Sequence, residues 1–218
     1  MLKIDYVSDV LCVWAWAAEA RNDALLANFD GQIELAPKFI NLFGDAQTRI
    51  GKGWSDKGGF DGFAKHTEEV AAKFPELTLS PSVWRSTQPT SSMPAHLHLK
   101  AAELAGSSQN EVLQLAKALR QAFFEQGRDI GNVEVITDVL ASQGINIEAL
   151  QPYLMDGSAY AALWSDQLLR EAQQIKGSPT YIIDGGRQTL FGNVGYRVIE
   201  ANVKELLKPH TGQGASWC

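Results

Sequence analysis

Four short segments of this 218-residue chain read as β-strands, and they sit near its two ends. Residues 2–7 (LKIDYV) and 33–39 (IELAPKF) form the first pair, and residues 180–183 (TYII) and 187–191 (RQTLF) the second. Two strands alone are too small for a stable sheet; three or more with an apolar face are needed. The two ends of the chain therefore need each other, across a long interval whose periodicity is helical. The expected fold class is α/β: a β-α-β unit and a β-β-α unit sharing one sheet, interrupted by an all-helical insertion. Residues 1–40 and 158–208 would form the sheet domain and residues 41–157 the insertion. The Gly-rich residues 209–218 would be a mobile tail.

Helical patterning covers residues 13–29, 63–74, 94–105, 110–126, 132–143, 147–155, 158–176 and 196–207. Residues 41–62, rich in Gly, Asp and Lys, read as loop with short turns, and residues 77–93 as loop. Pro94 suits a first helical turn, and Pro37 marks its strand as an edge or an end. Asp184-Gly185-Gly186 reads as a hairpin turn between the last two strands.

Bulk properties exclude several function classes. A formal net charge of -6 argues against nucleic acid as a partner. No apolar run is long enough to span a bilayer, and MLKIDYVSD does not open like a secretory leader, so a cytoplasmic location without membrane partners is expected. The 2 cysteines, Cys12 and Cys218, are too few for a disulfide framework or a thiolate metal site. The 4 histidines show no ligand spacing, so no metal and no tightly bound cofactor are expected.

Two features carry chemistry. Cys12, in LCVWAW, stands where a strand hands over to a helix. Unpaired N–H groups at a helix start favour negative charge, and the thiolate is the nucleophilic form of cysteine. A buried cysteine that merely packs is the equally open alternative. The second feature is GSPT, residues 177–180, where Pro179 ends a helix just before a strand. It is either a cis-proline at the strand entrance or an ordinary trans proline.

Together, DYVSDVLCVWAW and GSPTYIIDGGRQTLFGNVG resemble the DsbA family of thiol-disulfide oxidoreductases, in its FrnE-like branch. The first stretch is similar to a motif of the form D-[FY]-x-S-D-x-x-C-P-W-C-[YW]. The second is similar to that family's cis-proline loop, hairpin and following turn. The resemblance spans nearly the whole chain and is weak in the insertion. It implies a thioredoxin-like fold, with Cys12 as the nucleophile and Ser178, Pro179, Trp14 and Ala15 at the substrate site. The chain departs from the family twice: Val13 replaces a proline, and Ala15 replaces the second, resolving cysteine.

A lone thiol can attack a disulfide and form a mixed disulfide, but another thiol must release it. Glutathione as co-substrate, a substrate cysteine, or Cys218 folding back would serve. The first reading is therefore a DsbA-like oxidoreductase or isomerase acting on thiol- or disulfide-containing peptides or small molecules. A second comes from 2-hydroxychromene-2-carboxylate isomerases and kappa-class glutathione transferases, which share this fold and activate glutathione with a serine. By that resemblance Ser8, four residues before Cys12, would be the activating group. A third reading is a non-catalytic peptide-binding relative. Related families are often dimers, so a homodimer is possible.

Overall fold

A computed structural model describes residues 1–208; Cys218 and the expected tail lie outside the described residues. The chain opens with β1 (Leu2–Ser8), α1 (Val13–Ala17), α2 (Glu19–Asn28) and β2 (Ile33–Phe39). Then come α3 (Gly59–Ala71), α4 (Met93–Leu104), α5 (Gln109–Phe124), α6 (Val133–Ser142), α7 (Gln151–Met155) and α8 (Ser158–Ala172). The chain returns to the sheet with β3 (Thr180–Ile183) and β4 (Gln188–Phe191) and closes with α9 (Tyr196–Leu207).

The two ends do share one sheet, in the order β2-β1-β3-β4. β1 runs parallel to β2 and antiparallel to β3, and β4 is antiparallel to β3. This is the expected thioredoxin-like α/β fold, with helices α3 to α8 inserted between β2 and β3. Alternation along β1 sends Ile4 and Tyr6 to one face, where they meet Leu25 of α2, Leu113 of α5 and Ile199 of α9. Val7 points to the other face with Ile182 and Ile175. Both faces are covered, which is why β3 is buried along its whole length.

The edge strand β2 is closed off by side chains rather than by another strand. Phe39 N–H donates to Asp166 Oδ2 at 2.8 Å, and Gln167 Nε2 donates to Phe39 O at 2.9 Å, both from α8. Asp166 also pairs with Lys100 of α4 at 2.9 Å, and Lys100 reaches Glu103 at 2.9 Å. Lys100 and Asp166 are buried, so one ion pair ties α4 and α8 to the sheet edge. Pro37 sits in this edge strand, where a missing N–H is tolerated.

Three local differences from the sequence reading have physical causes. The helix expected over 13–29 divides at Ala18. Helix α1 is held by Trp16 stacking flat on Phe124 of α5 at 4.7 Å, while α2 turns to lay Leu25 and Phe29 on the sheet. Residues 41–62 contain a π-helical turn, Gln47–Lys52, and a 3-10 turn, Ser55–Lys57. Helix α3 begins at Gly59, earlier than expected, because Gly58 and Gly59 take positive φ values of 92° and 59° and swing the chain into it. Trp84, in the long loop before α4, is fully buried among Phe43, Phe63 and Phe123. It lies in the core of the helical layer.

Removing the carboxylate of Asp166 leaves Lys100 buried without its main partner. Asp166→Ala should lower the unfolding free energy by about 3–5 kcal/mol in urea titrations. A loss below about 1 kcal/mol would mean that the pair does not hold the edge.

Candidate functional site

The site is built on the four residues between β1 and α1. Asp9 O accepts from Cys12 N–H at 3.1 Å, and Asp9 Oδ1 accepts from Leu11 N–H at 2.9 Å, so an aspartate turn delivers Cys12 to the N-cap of α1. Cys12 O then accepts the first helical bonds, from Ala15 and Trp16 N–H, both at 3.0 Å. Asp9 Oδ2 accepts from Phe43 N–H and from Ser92 Oγ, each at 2.9 Å, and Asp9 N–H donates to Ser178 Oγ at 3.0 Å. One buried aspartate therefore joins the cysteine turn to the segment after β2, to α4 and to the loop before β3.

That loop brings the second wall. The Ser178–Pro179 peptide is cis, and Ser178 O lies 3.3 Å from Cys12 Sγ, accepting its S–H. The Ser178 hydroxyl braces Asp9, and the Pro179 carbonyl accepts from Gly192 N–H at 2.8 Å. Cys12, Trp14 and Ser178 line one cleft of about 250 Å³. Its aromatic walls are Trp14, Phe43, Trp54, Phe63 and Phe191, and its polar lining includes Arg49, His66 and Lys176.

Not every expected site residue reaches this cleft. Ala15 and Pro179 are both buried, and neither lines the cleft. Ser8 is fully buried too, its hydroxyl accepting from Arg120 Nη2 at 2.8 Å, while Arg120 also binds Glu19. The Ser8 hydroxyl therefore faces a buried ion pair from α5 and α2, not the thiol. Reading the sequence missed Arg49, His66 and Lys176. Arg49 falls in the stretch without periodicity, Lys176 just past α8, and His66 on an ordinary amphipathic helix, so no local pattern singles them out.

Residues 3–204 match the family model described as the DSBA-like thioredoxin domain. The chain belongs to that family. Solved structures of the same fold include a putative protein disulfide isomerase from Nitrosomonas europaea, 12% identical, TM-score 0.77, covering 98% of this chain and 99% of that one. The cytosolic disulfide reductase DsbM from Pseudomonas aeruginosa is 18% identical at TM-score 0.70, over 94% of this chain and 100% of that one, and has also been solved with GSH. A 2-hydroxychromene-2-carboxylate isomerase is 13% identical at TM-score 0.66, over 98% of this chain and 100% of that one.

In this DSBA-like domain the thiol does not have the depressed pKa that its place at a helix start suggests. Cys12 is 6% exposed, and burial pushes its pKa up. Hydrogen bonding from the Ser178 side chain and from the backbone of Ala15 and Trp14 opposes the rise, and the Asp9 carboxylate adds to it. Helix α1 is only 5 residues long, so its dipole is weak against the desolvation of a thiolate. Iodoacetamide should alkylate Cys12 with a pH midpoint above the ordinary thiol range, and unfolding should bring that midpoint down. A lower midpoint in the folded protein would contradict the site as described.

His96 is fully buried beside the cysteine turn. Its Nε2 accepts from Val10 N–H at 3.2 Å, so Nδ1 carries the proton and donates to Asn41 Oδ1 at 3.0 Å. Burial pushes its pKa from 6.5 down to about 4, with Asp9 opposing. Between those values the unfolded chain binds a proton that the folded one does not, so stability falls as pH drops through this window. The loss from this group is about 3 kcal/mol in all. Urea unfolding from pH 7 to pH 4 should therefore show a shallower decline in His96→Gln than in the parent protein; equal slopes would mean that His96 is not held neutral.

Proposed function

We propose that the chain is a single-thiol thiol-disulfide exchange enzyme, with Cys12 as nucleophile and glutathione as the thiol that completes the cycle. The observation that carries the reading is the pair Cys12 and Ala15. Cys12 Sγ meets the cleft beside the Ser178 carbonyl, while the position of the resolving thiol is a buried methyl group. In the first step Cys12 gives up its proton and its sulfur attacks one sulfur of a disulfide. A Cys12 mixed disulfide forms, and the other sulfur leaves as a thiolate that takes up a proton. In the second step a glutathione thiolate attacks the mixed disulfide and releases Cys12 as the thiol. A second glutathione turns the resulting glutathione mixed disulfide into free thiol and oxidised glutathione, so two electrons pass from two thiols to one disulfide.

Several features support this reading. Family membership supports thiol-disulfide chemistry, and the structure of DsbM with GSH supports glutathione as the small thiol. That protein is described as cytosolic, which agrees with a reducing, glutathione-rich compartment as the working place of this chain. The cleft also suits the end of an extended thiol-bearing peptide, with Trp14, Ser178 and the Pro179 loop as its walls. Activation of glutathione by Ser8, as an isomerase or transferase would require, has less support because that hydroxyl faces Arg120.

Incubation with oxidised glutathione, followed by intact mass and peptide mapping, tests the reading. Cys12 should gain one glutathione, Cys12→Ser should gain none at that position, and Ser8→Ala should still react. Ala15→Cys should convert the adduct to an internal disulfide. An unmodified Cys12 in the folded parent protein would refute the proposal.

A further inference from the structure

The cleft around Cys12 has a charge pattern that thiol chemistry alone does not require. Arg49, His66 and Lys176 line it, and among the described residues none of its lining side chains is a carboxylate. The three residues come from three separate parts of the chain, the π-helical turn, α3 and the segment after α8, and Arg49 and Lys176 are the cations among them. Lys57 and Lys73 add positive charge next to the lining, lying over the rings of Trp54 at 4.8 Å and Trp14 at 5.7 Å. The acidic group acting on His66 is Glu69, outside the lining. All this stands on a chain of net charge -6, so the cationic rim is a matter of placement, not of composition.

Arg49 is also held in position. Its guanidinium packs over Phe43 at 4.9 Å, and the Phe43 backbone is bonded to Asp9, the residue that sets the cysteine turn. Arg49 and Lys176 are exposed, and among the described residues neither takes part in a salt bridge. A guanidinium and an ammonium left without partners beside a nucleophile suit carboxylates on the incoming molecule.

We infer that Arg49 and Lys176 make this cleft selective for small disulfides and thiols that carry carboxylates, over neutral or cationic ones. The inference rests on Cys12 acting as the exchange nucleophile, and it concerns what that nucleophile is offered. The carboxylates of the incoming disulfide pair with Arg49 and Lys176. The Cys12 sulfur forms its new S–S bond, the old one breaks, and the departing carboxylate-bearing thiol leaves with the proton that Cys12 gave up.

Three aliphatic disulfides serve as probes: 3,3′-dithiodipropionate, 2-hydroxyethyl disulfide and cystamine, which are dianionic, neutral and dicationic. The rate of Cys12 modification is read by mass with peptide mapping, at low salt, and divided by the rate with the same protein unfolded. The dianion should exceed the dication by about tenfold or more. In the Arg49→Gln, Lys176→Gln double variant that ratio should fall to about threefold or less. Salt should slow the dianion in the parent protein and leave the neutral probe alone. Equal normalised rates for all three probes, or a ratio that survives in the double variant, would overturn the inference while leaving Cys12 as the nucleophile. Failure of even the neutral probe to modify folded Cys12 would overturn both.

Discussion

The Asp9 carboxylate is the constraint on which the site depends. It accepts three hydrogen bonds, from Leu11, Phe43 and Ser92, and its own N–H reaches Ser178. Those partners belong to the cysteine turn, the segment after β2, α4 and the loop before β3. A buried carboxylate needs such partners, and each of them is a piece of chain fixed in place by supplying one. The sheet brings the two ends of the chain together, and Asp9 then registers the inserted helices against them.

The same enclosure explains the character of the thiol. A cysteine at a helix start is commonly read as acidic, yet here burial opposes the thiolate more strongly than one and a half turns of helix favour it. Asp9, which builds the turn, also adds to the cost of charging the sulfur. Positive charge is present instead in exposed parts of the cleft lining, in Arg49 and Lys176. Positioning the thiol and attracting its partner are thus separate tasks given to separate residues.

Much of this was legible in the residues. The strand segments, the hairpin turn at Asp184 and the long helices follow from periodicity and turn residues, because those signals act over a few neighbours. Cys12 and Ser178 stand out in the sequence as a cysteine at a strand-helix junction and a residue before a proline. The π-helical turn does not, since its residues are arranged by packing on Phe43 and α3, not by a repeat. Nor does the fate of Ser8: whether a serine at the end of a strand faces a cleft or a buried arginine depends on where α5 lies, more than a hundred residues later in the chain.

The sequence by itself determined the α/β class, the long helical interruption, the lone thiol at position 12 and the alanine where a second would stand. These are facts of local pattern and covalent identity. Only the tertiary structure decided that Cys12 is desolvated, that Ser8 and Ala15 are buried away from the cleft, and that two distant cations, Arg49 and Lys176, converge on it with His66. The reason is physical. Burial and electrostatic environment are sums over neighbours in space, and for a site assembled from residues 9–14, 42–66, 176–178 and 191 those neighbours are set by the packing of the insertion on the sheet.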